Sequence, residues 1–325
     1  MTYAITLDEC GGSDVLKTTD IDMPSAGDNE VVVHHEAVGL NFIDVYFRTG
    51  LYPIASFPTV IGMEGAGTVS SIGGGVNDFN VGDRVAYAAL PTGAYASDRA
   101  IRADALVKLP DSISFEQAAA MMLQGMTVQY LIRQTYRVEP GETVLFHAAA
   151  GGVGLIACQW LKQLGATVIG TVGSEEKAAL AKANGCDHTI LYKNEDVASR
   201  VKELTDGKGV PVVYDSIGQS TLEASLDSLS PRGLLVSYGN ASGPVTDFNF
   251  GILAAKGSLY VTRPTLMTYT ANPADMRAMA GELFDLVGSG KINISINQRF
   301  ALNEVAKAHD ALEGRETTGS TILIP

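Results

Sequence analysis

The stretch "TVLFHAAAGGVGLIACQWLKQLG", residues 143 to 165, constrains the fold more than any other part of the chain. A short apolar run meets a glycine turn, and a segment with helical spacing follows at once. The same rhythm then repeats. "TVIGTV", "HTILY", "VPVVYDS" and "GLLVSYG" are strand-length apolar runs, and helical segments such as "EEKAALAKANG" separate most of them. Strands of this kind, alternating with helices, pair in parallel and need cover on both faces of the sheet. "GSLYVTRP" is a further strand candidate, and "PADMRAMAGELFDLVGSG" a long helix that ends at glycine.

The glycine turn carries the dinucleotide pattern G-x-G-x-x-G in altered form, with Ala149, Gly151 and Gly154 at its three positions. Gly151 would let the backbone approach a pyrophosphate, and Gly154 would let the helix pack closely on the strand. Gly152 and Val153 open the helix, whose unbonded N–H groups and partial positive charge favour an anion. The alternative is a turn that serves packing alone. The strand before, the helix after and the α/β run beyond favour a nucleotide. An NAD site places Asp or Glu about 20 residues past the glycines, on the ribose 2′-hydroxyl. Gly173 and Ser174 stand there instead, with Lys177 one helical turn on and Tyr192 after the next strand. Room, hydroxyl donors and a cation suit a 2′-phosphate, so the expected cofactor is NADPH.

The first third has a different texture. "EVVVHHEAVGLN", "GAGTVSSIGGGV" and "VGDRVAYAA" are closely spaced β-rich runs with glycine turns, as in a compact barrel-like domain. "SFEQAAAMMLQGMTVQYLI" reads as one helix, with Ser114 and Gln117 spaced as a capping box. The tail "EVAKAHDALEGRETTGSTILIP" reads as helix, loop and a last strand that returns to the β-rich part. A net charge of -13 disfavours general nucleic-acid binding, and no apolar run reaches the roughly 20 residues that span a bilayer. The first residues lack a secretory pattern, so a cytoplasmic protein without membrane insertion is expected. The three cysteines form no C-x-x-C pair, and Cys158 reads as a small core residue.

Together, "GLNFIDVYFRTGLYP", "GMEGAGTV", "HAAAGGVG", "VVYDSIG", "SYGNASG" and "GSLYVTRP" resemble the zinc-free quinone oxidoreductases of the medium-chain dehydrogenase/reductase superfamily over nearly the whole length. The resemblance implies an α/β protein of two domains. Residues 1–125 and 265–325 would form a GroES-like β-barrel catalytic domain, and 126–264 a Rossmann domain with a doubly wound parallel sheet for the cofactor. It implies a homodimer joined through the edge strand Gly257–Pro264. Zinc-dependent relatives bind their metal at three positions that here hold Asn41, Met63 and Gln124. Carboxamides and a thioether are poor zinc ligands beside thiolate and imidazole, so no metal is expected.

Hydride transfer without a metal remains, with a small quinone as acceptor and hydrogen-bond donors near its oxygens. By the resemblance, Asn41, Tyr46 and Tyr52 line the cleft as catalytic candidates, Asn41 also touching cofactor. Asp44 would orient neighbours. Ser216 and Ile217, with Tyr238, Gly239 and Asn240, would frame the nicotinamide. Thr127 would contact a phosphate or ribose, and Arg263 and Arg315 are candidates for the cofactor. The blander readings are a turn cap for Asn41, loop packing on Pro53 for Tyr52, a solvated helix residue for Lys177 and surface salt bridges for the arginines. Two rival functions stand beside this one: reduction of activated C=C bonds in enals or enones, and NADPH binding with little turnover.

Overall fold

A computed structural model describes residues 2–325, and the chain divides into two compact units. The first comprises Met1–Met126, Thr270–Gly290 and Ile294–Pro325, and the second Thr127–Tyr269 with Lys291–Asn293.

In the first unit, β1 (Tyr3–Leu7) pairs with β2 (Lys17–Asp20) on one side and β4 (Thr59–Val60) on the other. Between these in sequence lie β3 (Glu30–Leu40) and the short helix α1 (Phe42–Arg48). Next come β5 (Glu64–Ile72), β6 (Arg84–Ala88), β7 (Asp98–Arg102) and β8 (Val107–Lys108). The central strand β3 is rich in valine. It pairs antiparallel with β5 and β7, and register shifts at Val32/Val33 and His35/Ala37 bend it. Its inward residues Val31, Val33, Val38 and Leu40 meet Tyr87, Tyr95 and Leu323 in one core.

The segment read as a single helix from Ser114 is broken. Ser114 and Gln117 do form their capping box, but α2 stops at Ala119 (Phe115–Ala119), and α3 (Met122–Tyr130) starts afresh and passes into a π-helical turn, Leu131–Thr135. The break has a cause in the core. The Leu123 N–H, which an unbroken helix would have used, donates to the buried Glu64 carboxylate at 2.6 Å.

The second unit is a parallel sheet in the order β11–β10–β9–β12–β13–β14. Its elements in sequence are β9 (Thr143–Phe146), α4 (Gly152–Gln163), β10 (Thr167–Val172), α5 (Glu175–Ala183), β11 (His188–Leu191) and α6 (Val197–Leu204). They continue with β12 (Val210–Asp215), α7 (Leu222–Ser228), β13 (Leu229–Ser237), α8 (Gly251–Ala255), β14 (Tyr260–Thr262) and α9 (Leu266–Tyr269). The sheet order reverses at β9, so the strand ends beside it form the switch point where ligands sit in such sheets. Leu145, Ile169, Ile190, Val213 and Leu235, one from each of β9 to β13, share a core. Cys158 is buried on α4, as its apolar setting suggests. The segment just after β14 stays with this unit, because Tyr269 stacks on Tyr130 at 4.4 Å and bonds Thr135.

The chain completes the first unit with α10 (Pro273–Gly288), started by an Asn272 cap and proline at its first position, then β15 (Ile296–Ala301), α11 (Val305–Glu313) and β16 (Ser320–Ile324). The last strand does return, pairing with β3. The sequence reading missed β15, whose residues alternate exposed and half-buried with little apolar content.

Candidate active site

The glycine turn follows β9. Gly151 is the N-cap of α4, and without a side chain it leaves the first N–H groups uncapped. A Cβ on Gly154 would lie 2.4 Å from the Ala148 carbonyl oxygen and 2.7 Å from the Ala149 Cα, so only glycine lets the helix rest on the turn. A Cβ on Gly151 would meet nothing but the Ala148 oxygen, at 3.3 Å. That open approach beside Gly152 and Val153 fits a pyrophosphate.

After β10, Ser174 caps α5 by accepting the Lys177 N–H at 3.3 Å. A Cβ on Gly173 would stand 2.9 Å from the Tyr192 hydroxyl, so the glycine makes room for that hydroxyl beside the turn. Gly173, Ser174, Lys177 and Tyr192 therefore gather around one strand end. An acid is also present. Glu176 lies beside the Ser174 hydroxyl, whose influence holds its carboxyl pKa below the ordinary range. It lies two residues past Ser174, close to where an NAD site places its acid.

The ends of β12 and β13 are laced together. Ala241 N–H donates to the Ser216 carbonyl, Ser242 N–H to that of Ile217, and Tyr238 N–H to that of Asp215. Gly239 is obligatory, because a Cβ would fall 2.3 Å from the Ser216 oxygen. Arg263 is committed locally, donating to the Ser237 carbonyl at 3.0 Å with Asn240 beside it. Thr127 is buried on α3. Arg315, in the first unit, leaves α11 in the left-handed conformation, with φ of 60°.

Beneath these loops runs a buried polar seam that the sequence reading did not find. Asp215 accepts from the N–H groups of Ile217 and Gly218 and from the hydroxyls of Thr221 and Ser225. Because Ser225 gives its proton to Asp215, its oxygen can only accept from His147 Nε2, at 3.0 Å. His147 Nδ1 must then accept from the Thr171 hydroxyl, which fixes the tautomer. Burial lowers the His147 pKa and keeps the ring neutral.

In the first unit Asn41 is the N-cap of α1. Its backbone N–H donates to Asp44 Oδ2 at 2.8 Å, so Asp44 does orient its neighbour. Its side chain looks elsewhere: Nδ2 donates to Glu64 Oε1 at 2.5 Å, and Oδ1 accepts from Gln124 Nε2 at 3.1 Å. Gln124 Oε1 in turn accepts from the Ser320 hydroxyl at 2.8 Å. All five residues are buried. Tyr46 and Tyr52 pack edge to face at 5.3 Å, and Tyr52 also meets Phe47. Tyr52 is thus held by α1.

The two acids are unusual. Burial pushes Glu64 up to about 8, against the pull of the Leu123 N–H and the Asn41 amide, and the nearby Asp44 charge adds to the rise. Burial pushes Asp44 up to about 7, opposed by the Asn41 N–H, the Tyr95 hydroxyl and the Met63 N–H. No hydrogen bond of good geometry closes on its Oδ1. Behind Asp44, Tyr95 bonds His309, and His309 accepts from Arg48, whose other nitrogen pairs with Glu313. Burial and that guanidinium hold His309 down at about 3. Sequence reasoning missed Glu64, although an acid inside the apolar, glycine-rich "GMEGAGTV" was a visible signal of a buried carboxyl.

The chain is similar to known proteins over nearly its whole length. Residues 27–111 match the alcohol dehydrogenase GroES-like domain, and 152–285 the zinc-binding dehydrogenase family. The chain is 59% identical to a quinone oxidoreductase of Pseudomonas aeruginosa over 97% of both chains. It superposes on the quinone oxidoreductase of Pseudomonas syringae pv. tomato with a TM-score of 0.98, at 57% identity over the whole of both chains. The Escherichia coli quinone oxidoreductase solved with NADPH gives the same TM-score at 50% identity, again over both full chains.

Proposed function

Because the chain belongs to the quinone oxidoreductase family of the medium-chain dehydrogenase/reductase superfamily, we propose that it reduces small quinones with NADPH and needs no metal ion. The cofactor, when bound, supplies the hydride. Gly151, Gly152 and Val153 offer N–H groups to the pyrophosphate. Gly173, Ser174, Lys177 and Tyr192 receive the 2′-phosphate, and Thr127 and Arg263 lie among the residues that line the same nucleotide. Ser216, Ile217, Tyr238, Gly239 and Asn240 frame the nicotinamide. Asn41, Tyr46 and Tyr52 hold the acceptor and donate to the oxygen on which charge develops.

The observation that carries this reading is the Asn41–Gln124 hydrogen bond. Two of the three positions that hold zinc in relatives are occupied by carboxamides bonded to each other, and the third by Met63. Such a set offers donors and acceptors in place of a Lewis-acid site. A neutral alcohol would lose a hydride poorly there, since nothing stabilises its alkoxide. A quinone accepts electrons readily and asks mainly for position. One preparation should be tested with NADPH against 1,4-benzoquinone and a small enone, and with ethanol and NADP. Fast quinone turnover that survives dialysis against a strong chelator is expected. A rate that returns only with zinc would overturn the reading, as would an enone that far outpaces the quinone.

A dimer through β14 belongs to the same reading. The strand is the edge of its sheet, and Tyr260 and Val261 are exposed on it at 60% and 38%. An open edge with apolar side chains invites pairing with a second copy. Light scattering should give twice the 34.2 kDa chain mass, and a monomer at micromolar concentration would refute the dimer.

A further inference from the structure

We infer that Glu64 is a positioning residue that sets the polarity of the hydrogen-bond chain Glu64–Asn41–Gln124–Ser320, and that uptake of one proton allows the whole chain to reverse. The geometry makes this a chain with two consistent readings. An ionised carboxylate can only accept, so Glu64 Oε1 compels Asn41 to turn Nδ2 toward it. Asn41 Oδ1 then faces Gln124 and compels Nε2 to donate, which leaves Gln124 Oε1 to accept from Ser320. A proton from solvent on Glu64 Oε1 removes the first compulsion. The acid O–H can donate to Asn41 Oδ1 after an amide flip. Asn41 Nδ2 then donates to Gln124 Oε1, and the flipped Gln124 Nε2 donates to the Ser320 oxygen. The Leu123 bond to Oε2 is unaffected. The chain keeps one bond at each of its three links, and only the Ser320 proton loses its acceptor, which favours the observed polarity while Glu64 is ionised.

The consequence lies at Asn41. Each end of a carboxamide can make two bonds, so the end on the Gln124 side presents a spare acceptor in one state and a spare donor in the other. A residue meant to donate to a substrate oxygen therefore depends on the protonation of a neighbour that touches no substrate. The groups facing Glu64 support a proton equilibrium near neutrality. Asp44 on α1 adds a like charge. Tyr87 on β6 is bonded to the neutral His35 of β3, and Tyr95 to His309. Arg99 lies over the outer face of Tyr87, and Arg48 pairs with Glu313. Glu116 on α2 is turned away to Arg299. Among the described residues, no cation is bonded to Glu64.

The kinetic arm of the test rests on the quinone-reduction reading, and the spectroscopic arm does not. In the unmutated protein, the side-chain amide resonances of Asn41 and Gln124 should titrate together in ¹⁵N–¹H spectra, with one midpoint near the Glu64 value of about 8. Movement of Asn41 alone, or of neither amide, would overturn the chain reversal. In the kinetic arm, kcat with 1,4-benzoquinone should change about fivefold across that midpoint, and Glu64→Gln should flatten the change to under about twofold while NADPH affinity by fluorescence stays the same. A variant that keeps the ionisation, or that loses rate equally at every pH, would show Glu64 to be merely structural. Amides that titrate together in a protein without quinone turnover would support the reversal and sink the functional reading.

Discussion

Asp215 in the second unit and Glu64 in the first are both buried acids beneath candidate site loops, yet they are solved differently. Asp215 receives two backbone N–H groups and two hydroxyls, within 3.1 Å. Its oxygens are fully met by donors, and His147, Thr171 and Ser225 have their proton positions fixed by it. Glu64 receives only two donors, and its neighbour Asp44 leaves one oxygen without a partner. Four donors make an acid a fixed strut. Two donors and a like charge leave it able to keep a proton up to about pH 8. A buried carboxyl is therefore evidence of rigidity or of switching according to the donors around it, and burial alone does not distinguish them.

The largest test of that contrast is Asp215→Ala. It strands four donors in the interior and should cost about 4 kcal/mol of stability, seen as a Tm fall of about 10 °C. Glu64→Gln, at neutral pH, should cost far less. Equal losses from the two substitutions would break the comparison. Next in size is Asn41→Ala, which should lower quinone turnover by about tenfold to a hundredfold, with Tyr52→Phe at the lower end of that range, since a supporting donor contributes a few kcal/mol at most. Steady-state assays at saturating NADPH would check both.

A smaller effect concerns pH. The folded pKa of Glu64, about 8, lies above the ordinary 4.5, so the folded state holds a proton that the unfolded chain has released. Stability from this group is full below about pH 4.5 and falls as pH rises toward 8. Asp44, raised to about 7, acts in the same direction. Between pH 6 and pH 8, Glu64→Gln should therefore gain about 2 kcal/mol relative to the unmutated protein. Urea unfolding at the two pH values would measure it. A constant difference would show that the folded Glu64 titrates normally.

What was legible in the sequence was whatever local pattern dictates. The alternation of apolar runs with helices gave the parallel sheet, and "HAAAGGVG" gave its first turn. The capping box at Ser114 was readable from spacing. The return of the last strand to the β-rich part was readable from its texture. What escaped depended on partners far apart in the chain. The break between α2 and α3 exists because a carboxylate 59 positions earlier takes the Leu123 N–H. The Asp215 seam joins residues from β9, β10, β12 and α7, and no spacing rule links His147 to Ser225, 78 positions away. β15 escaped for another reason: its half-exposed residues "INQRFA" carry no apolar alternation, and only pairing with β16 makes them a strand. The family position singles out Asn41, but no local pattern shows that its amide is clamped between Glu64 and Gln124.

The smallest expected effects belong to the exposed turn after β10, which contrasts with the sealed seam one strand away. Lys177→Ala should weaken NADPH about tenfold and barely alter NADH, because a charge-assisted bond to a 2′-phosphate has no counterpart in NADH. Glu176→Gln acts on the other side of the same contact. Its carboxylate competes for the Ser174 hydroxyl, which a phosphate would need as a donor, and it adds negative charge beside the place where the phosphate must go. Binding NADPH therefore works against like-charge repulsion, and water and salt screen much of the cost because Glu176 is exposed. Neutralising it should tighten NADPH by about twofold to fivefold at low ionic strength, with the gain fading as salt rises. NADH should be unaffected or bind slightly less well, since a carboxylate at a ribose edge is what an NAD site uses. Fluorescence titration of both cofactors at two salt concentrations separates the cases. A Glu176→Gln variant that favours NADH would mean that this acid, and not the Ser174–Lys177 pair, governs the choice of nucleotide.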